Sequence, residues 1–82
     1  MAVFDIQAEW RNGHFKPLAP LPIDEGGYFM LFRSLNSILP VSYNRGVLTP
    51  PSGTFNLATG TTHQICIANS SQELENSPTY GN

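Results

Sequence analysis

Ala8-Glu9-Trp10-Arg11-Asn12-Gly13-His14-Phe15-Lys16-Pro17-Leu18 decides the fold. Asn-Gly between two short runs is the strongest local signal for a two-residue β-hairpin, because a type I′ turn needs φ > 0 twice and both residues tolerate it. A turn at Asn12-Gly13 sets Arg11 opposite His14, Trp10 opposite Phe15 and Glu9 opposite Lys16. The aromatic pair then shares one face and the charged pair the other. Each such cross-strand pair contributes about 0.2–1 kcal/mol.

Upstream, Phe4, Ile6, Ala8 and Trp10 alternate with Asp5, Gln7 and Glu9, so Val3 to Trp10 reads as a half-buried strand. Downstream, Pro17 to Pro22 holds three prolines in six residues, which forbids helix and central strand and leaves an extended connector. Asp24-Glu25-Gly26-Gly27 reads as a turn. Tyr28 to Arg33 is apolar on both faces and reads as the most buried strand. Ser34 to Leu39 has room for one helical turn before Pro40.

Val41 to Pro50 then repeats the first hairpin. Tyr43 stands for Trp10, Gly46 for Gly13, Leu48 for Phe15 and Pro50 for Pro17, at a common spacing of about 33 residues. With one further residue inserted, Leu57 stands for Ile23, Gly60 for Gly26, and Thr61 to Ala68 for the Tyr28 strand. One unit of this size cannot bury its own apolar face, whereas two can close on each other and remove unpaired edges. The expected fold is all-β, a small barrel or sandwich of two pseudo-symmetric units over residues 3–33 and 41–68. The competing explanation is coincidence, since Gly and Pro recur at turns in any β protein. Residues 1–68 form the expected domain. Residues 69–82 read as a polar tail that gains order by lying on a neighbouring chain or on its own domain, with Leu74, Pro78 and Tyr80 as the partner contacts.

Size and composition bound the function. The chain has 82 residues, room for one domain, of which only 12% are charged and 40% hydrophobic. Neutral polar groups make up the difference, and a surface of that kind offers little resistance to association. The net charge is −2, and the four basic residues, Arg11, Lys16, Arg33 and Arg45, are scattered, which argues against nucleic acid. Cys66 is the single cysteine, so no internal disulfide forms. No leader-like segment and no apolar run of about 18 residues points to secretion or a membrane span, so a reducing compartment is expected.

The candidate chemistry is thin. His14 and His63 are far apart in sequence and lack metal-ligand spacing. Cys66, between Ile65 and Ile67, reads as a small core hydrophobe, and three residues from His63 on a strand it faces the other side. Asp24 and Glu25 read as surface turn formers, and the glycines form no phosphate-binding loop. Asn69-Ser70-Ser71 matches a glycosylation acceptor without a secretory signal to support it. The proline runs at Pro17 to Pro20 and Pro50-Pro51 could be ligands for proline-reading modules, or could protect edges. The aromatics Phe4, Trp10, Phe15, Tyr28, Phe29, Phe32, Tyr43, Phe55 and Tyr80 could stack bases or sugars, but without basic neighbours they read as core.

Ala8 to Leu31 resembles a family of very short bacterial and archaeal proteins classed as antitoxins. The shared pattern is Trp10-Arg11-Asn12-Gly13-His14-Phe15-Lys16-Pro17-Leu18, then Leu21, Ile23, Glu25-Gly26 and Phe29 to Leu31. The resemblance covers less than a third of the chain and implies a hairpin of this shape and a partner toxin. The chain departs from the family after Glu25-Gly26, where Gly27 to Phe32 is apolar rather than charged and a second β unit follows.

No catalytic constellation emerges, so the chain is expected to be no enzyme and to need no cofactor or metal. The leading expectation is a structural or interaction protein of a larger assembly, such as a bacteriophage capsid decoration (cement) protein. Its partners would be protein, as a homo-oligomer or with capsid subunits, with neither nucleic acid nor membrane. The virion, assembled in the host cytoplasm, would be its place. An antitoxin-like cytoplasmic regulator binding a toxin is the alternative, and a carbohydrate- or peptide-binding module a third.

Overall fold

A computed structural model describes residues 4–76. Six antiparallel strands close into a barrel: β1 (Phe4–Arg11), β2 (His14–Pro17), β3 (Gly26–Phe32), β4 (Ser37–Asn44), β5 (Val47–Thr49) and β6 (Thr62–Ala68). The order around the barrel is β1-β2-β5-β4-β3-β6. A short helix, α1 (Ser71–Glu75), follows.

The first hairpin forms as its sequence dictates. Ala8 pairs with Pro17, Glu9 with Lys16, Trp10 with Phe15 and Arg11 with His14. Asn12 and Gly13 take φ of 49° and 87°, the two left-handed positions of a type I′ turn. The second hairpin copies it, with Tyr43 opposite Leu48 and Arg45-Gly46 at φ of 54° and 80°. The Glu9 carboxylate bonds Arg11 Nε at 3.0 Å, along its own strand, while it stands across from Lys16. A Cβ at Gly13 would meet nothing within 4 Å, so a side chain there costs only backbone strain. Gly13→Ala should therefore destabilise by about 1–2 kcal/mol. In a domain this size that lowers the melting temperature by roughly 4–16 °C, read by thermal denaturation.

The barrel is two-fold pseudo-symmetric. Exchanging β1, β2, β3 with β4, β5, β6 leaves the set of paired strands unchanged. The registers obey the same exchange. Ala8↔His63 becomes Val41↔Tyr28, and Ile6↔Ile65 becomes Leu39↔Met30, when β1 is carried forward by 33 residues and β6 back by 35. The hairpins thus repeat at the spacing expected, but the third strands need two inserted residues rather than one. Side chains alternate with period 2, so an offset of 34 would carry core residues to the outer face. An offset of 35 superposes Met30 on Ile65 and Phe32 on Ile67, all buried in the one core.

That core holds Ala8, Trp10, Phe15, Met30, Phe32, Val41, Leu48, Ile65 and Ile67. β3 and β6 are buried on both faces, which is why each reads as a continuous apolar run. Their outer face carries a second cluster of Leu31, Cys66, Ala68 and Leu74. β3 is matched in burial by β6, where Ile65 to Ala68 are all inaccessible.

Two expectations need correction. Gly26 and Gly27 open β3 and pair with Tyr43 and Ser42, so the turn ends at Glu25. Arg33 to Asn36 is a tight turn, closed by Leu35 N–H to Phe32 C=O and Asn36 N–H to Arg33 C=O, each 3.2 Å, and not a helical turn. β4 starts at Ser37 and runs through Pro40. A proline is tolerated there because β5 reaches only as far as the Ser42↔Thr49 pair, leaving that flank of β4 open. Within the expected tail, residues 71–75 form α1 and lie on the chain's own barrel, the helix start being set by a capping box in which Ser70 Oγ accepts from Glu73 N–H and the Glu73 side chain accepts from Ser70 N–H.

Candidate functional site

The inside of the barrel is filled with side chains. Phe15 lies at the centre of an aromatic group, with ring centroids 4.7 Å from Trp10, 5.5 Å from Phe55 and 5.8 Å from Phe32. Edge-on and tilted pairs at these separations add about 0.5–1.5 kcal/mol each beyond their burial. Trp10, Phe15, Phe32 and Phe55, four of the aromatics that could stack on a base or sugar, are thereby engaged with one another, whereas Phe4, Tyr28 and Tyr43 line surface clefts. Tyr80 and Pro78 lie outside the described residues.

The titratable groups do not converge. His63 points inward, its ring 5.3 Å from Phe32 and 6.2 Å from Phe15, with Nε2 2.8 Å from Thr61 Oγ1. Cys66 sits on the opposite face of the same strand under α1, as the alternation requires. His14 faces Arg11 beside the first turn. Asp24 and Glu25 part company. The Asp24 carbonyl accepts the Tyr28 hydroxyl at 2.6 Å, while Glu25 Oε2 accepts the Arg45 backbone N–H at 2.7 Å. Glu25 thus pins the second hairpin's turn to the start of β3, a role no sequence signal announced. Asp5 bonds both Arg33 Nη1 at 2.9 Å and Gln64 Nε2 at 2.6 Å, lacing β1, β6 and the β3–β4 turn on the outside. Among the described residues no three His, Cys, Asp or Glu side chains gather into a metal-binding group.

Leu74 is buried in its own chain, against Leu31, Cys66 and Ala68. The signal that could have placed it is Ser70-x-x-Glu73, a capping box directly ahead of the leucine.

What remains is surface relief. The proline-rich strap, residues 18–22, crosses the barrel between two open grooves. One, about 310 Å³, separates it from Phe4 to Gln7 of β1. The other, about 270 Å³, lies against Tyr43 and Gly46. Leu18 stands between them with 59% of its surface exposed. The second groove has a counterpart of about 320 Å³ across the pseudo-two-fold, where Trp10, Gly13 and Pro50 replace Tyr43, Gly46 and Pro17. Each is made by the hairpin turn of one unit meeting the link of the other, so the pair is a product of the duplicated architecture. A wider cleft of about 490 Å³ opens between the far end of the strap, Phe4, Tyr28 and Asn69. No protein-family model matches the chain, and no curated protein or solved structure matches it.

Proposed function

We propose that the chain is a non-enzymatic interaction protein of a larger assembly, with capsid decoration in a bacteriophage virion as the form its composition fits best. The observation that carries this is Leu18: a large apolar side chain held out on a proline-stiffened strap, between two grooves, on a surface that is poor in charge. Prolines fix the strap before any partner arrives, which lowers the ordering cost of docking. A contact made of apolar and neutral groups depends little on ion pairs, so it tolerates salt.

The antitoxin-like alternative draws on the hairpin motif. Trp10, Asn12, Gly13 and Phe15 are consumed in making the turn and the core. They account for a shape, and of the motif's exposed side chains, among them Arg11, Lys16 and Glu25, only Leu18 is a large apolar one.

Light scattering of the purified chain at two salt concentrations tests the proposal. Self-association with one mass at both salts is the expected result. Leu18→Asp should weaken that association about ten- to a hundredfold, the worth of burying one leucine. An unchanged mass for the variant would rule out the strap as the contact, and a monomer throughout would remove self-assembly.

A further inference from the structure

The two pseudo-symmetric halves, residues 4–32 and 37–68, close on each other along β1–β6, β3–β4, β3–β6 and β2–β5, and one turn joins them. We propose that the chain exchanges halves with a second copy of itself, the turn at Arg33 to Asn36 opening into a link between two complete barrels. Each barrel would then contain residues 4–32 of one copy and 37–68 of the other. Every register pair between the halves is kept, because the same residues meet and only the chain that supplies them changes. This partner uses no part of the strap, so the proposal goes beyond the reading above.

The turn is built to open more readily than the two hairpin turns. Those place a glycine at their second left-handed position, Gly13 and Gly46. The joining turn has no glycine, and Asn36 is held at φ 52°. Leu35 is 62% exposed, the most of any large hydrophobic residue described. An open link relaxes Asn36 to an ordinary backbone. It also brings the two copies' Leu35 side chains together where the links cross, out of water. Four extended residues span roughly 13–14 Å, enough to pass between neighbouring barrels. Short, strained joining loops between separable units are the usual route to exchanged dimers. With a net charge of −2, little repulsion opposes a second copy. Exchange requires the halves to separate, so monomer and dimer should interconvert slowly and dimer should accumulate when the chain folds at high concentration.

A cross-link distinguishes exchange from association through the strap. Gln7 on β1 stands opposite Gln64 on β6, one residue from each half. In a Cys66→Ala background, Gln7→Cys with Gln64→Cys forms a disulfide within one chain if the halves are not exchanged, and between chains if they are. The native dimer, refolded at high concentration and run without reductant, is expected at twice the 9.0 kDa chain mass. A dimer whose cross-linked chains run at 9.0 kDa overturns the exchange while leaving the strap reading intact. Deleting Ser34, Leu35 and Asn36 leaves one residue between Phe32 and Ser37, fewer than the two that close a hairpin, and should raise the dimer fraction more than about tenfold, whereas Asn36→Gly in the full chain should lower it about fivefold. Leu18→Asp should leave it unchanged. A full-length chain that stays monomeric after refolding at high concentration also overturns the proposal, whatever the deletion variant does.

Discussion

Phe15→Ala should unfold this protein under conditions where the parent chain is native. Phe15 is fully buried, and its ring touches the aromatic group at Trp10, Phe32, Phe55 and His63. It also occupies the weakest seam. β2 and β5 share a single register pair, Phe15↔Leu48, and the barrel is closed on that side by their side chains more than by backbone. Removing a buried phenylalanine costs about 3–5 kcal/mol through lost transfer energy and the cavity left behind. A chain of this length has roughly 4–12 kcal/mol of stability in total. Urea unfolding reads the effect directly. At a slope near 1 kcal/mol/M, the midpoint should fall by about 3 M or more. A midpoint within a few tenths of the parent's would mean that the β2–β5 seam is held by something other than Phe15.

Trp10, the more conspicuous residue in the sequence, sits one step outward on the same face and keeps 7% of its surface exposed beside a groove. Its pairing with Phe15 was legible because every force that sets it is local: an Asn-Gly turn, alternation on either side, and aromatics at matching positions. The second hairpin was legible for the same reason. So was the burial of both faces of β3, whose run Tyr28 to Phe32 leaves no polar side to face water. The all-β class and the pairing of two like units follow from these.

What stayed hidden depends on contacts distant in sequence. The offset of the third strands is fixed by the β1–β6 and β3–β4 registers, whereas the glycines that suggest an alignment, Gly26 and Gly60, lie at a strand end and in a turn. Ser34 to Leu39 has room for a helical turn before Pro40, yet β4 starts at Ser37, and only the shortness of β5 makes Pro40 harmless in it. The surface relief was not legible at all. A groove between the strap and β1 exists because the barrel curls, and nothing in Pro17 to Pro22 announces which strand it will cross.

Leu74→Asp is the substitution that should separate the barrel from its cover. α1 has five residues, too few to persist alone, and the capping box at Ser70 and Glu73 sets its start without attaching it to anything. Attachment falls to Leu74, which fills the outer cluster with Leu31, Cys66 and Ala68. Aspartate cannot remain there ionised, since burying an unpaired charge costs more than the helix gains by docking. The helix should therefore lift off, and the loss is capped at the docking energy itself, about 2–5 kcal/mol on the scale of buried leucine truncations. Leu74→Ala should cost nearly as much, because either variant is free to undock. The barrel's own core is untouched by both, so the β structure should persist where Phe15→Ala destroys it. Cys66 supplies the readout. It is 1% exposed beneath α1, and lifting the helix uncovers its thiol on an intact strand. A loss of about 3 kcal/mol corresponds to more than a hundredfold rise in the rate of labelling by a thiol reagent. Labelling that stays at the parent rate in a folded variant would mean that α1 is held by contacts other than Leu74. Global unfolding of the variant would mean that the outer cluster is part of the barrel's foundation, and that the chain beyond Ala68 is required for the fold.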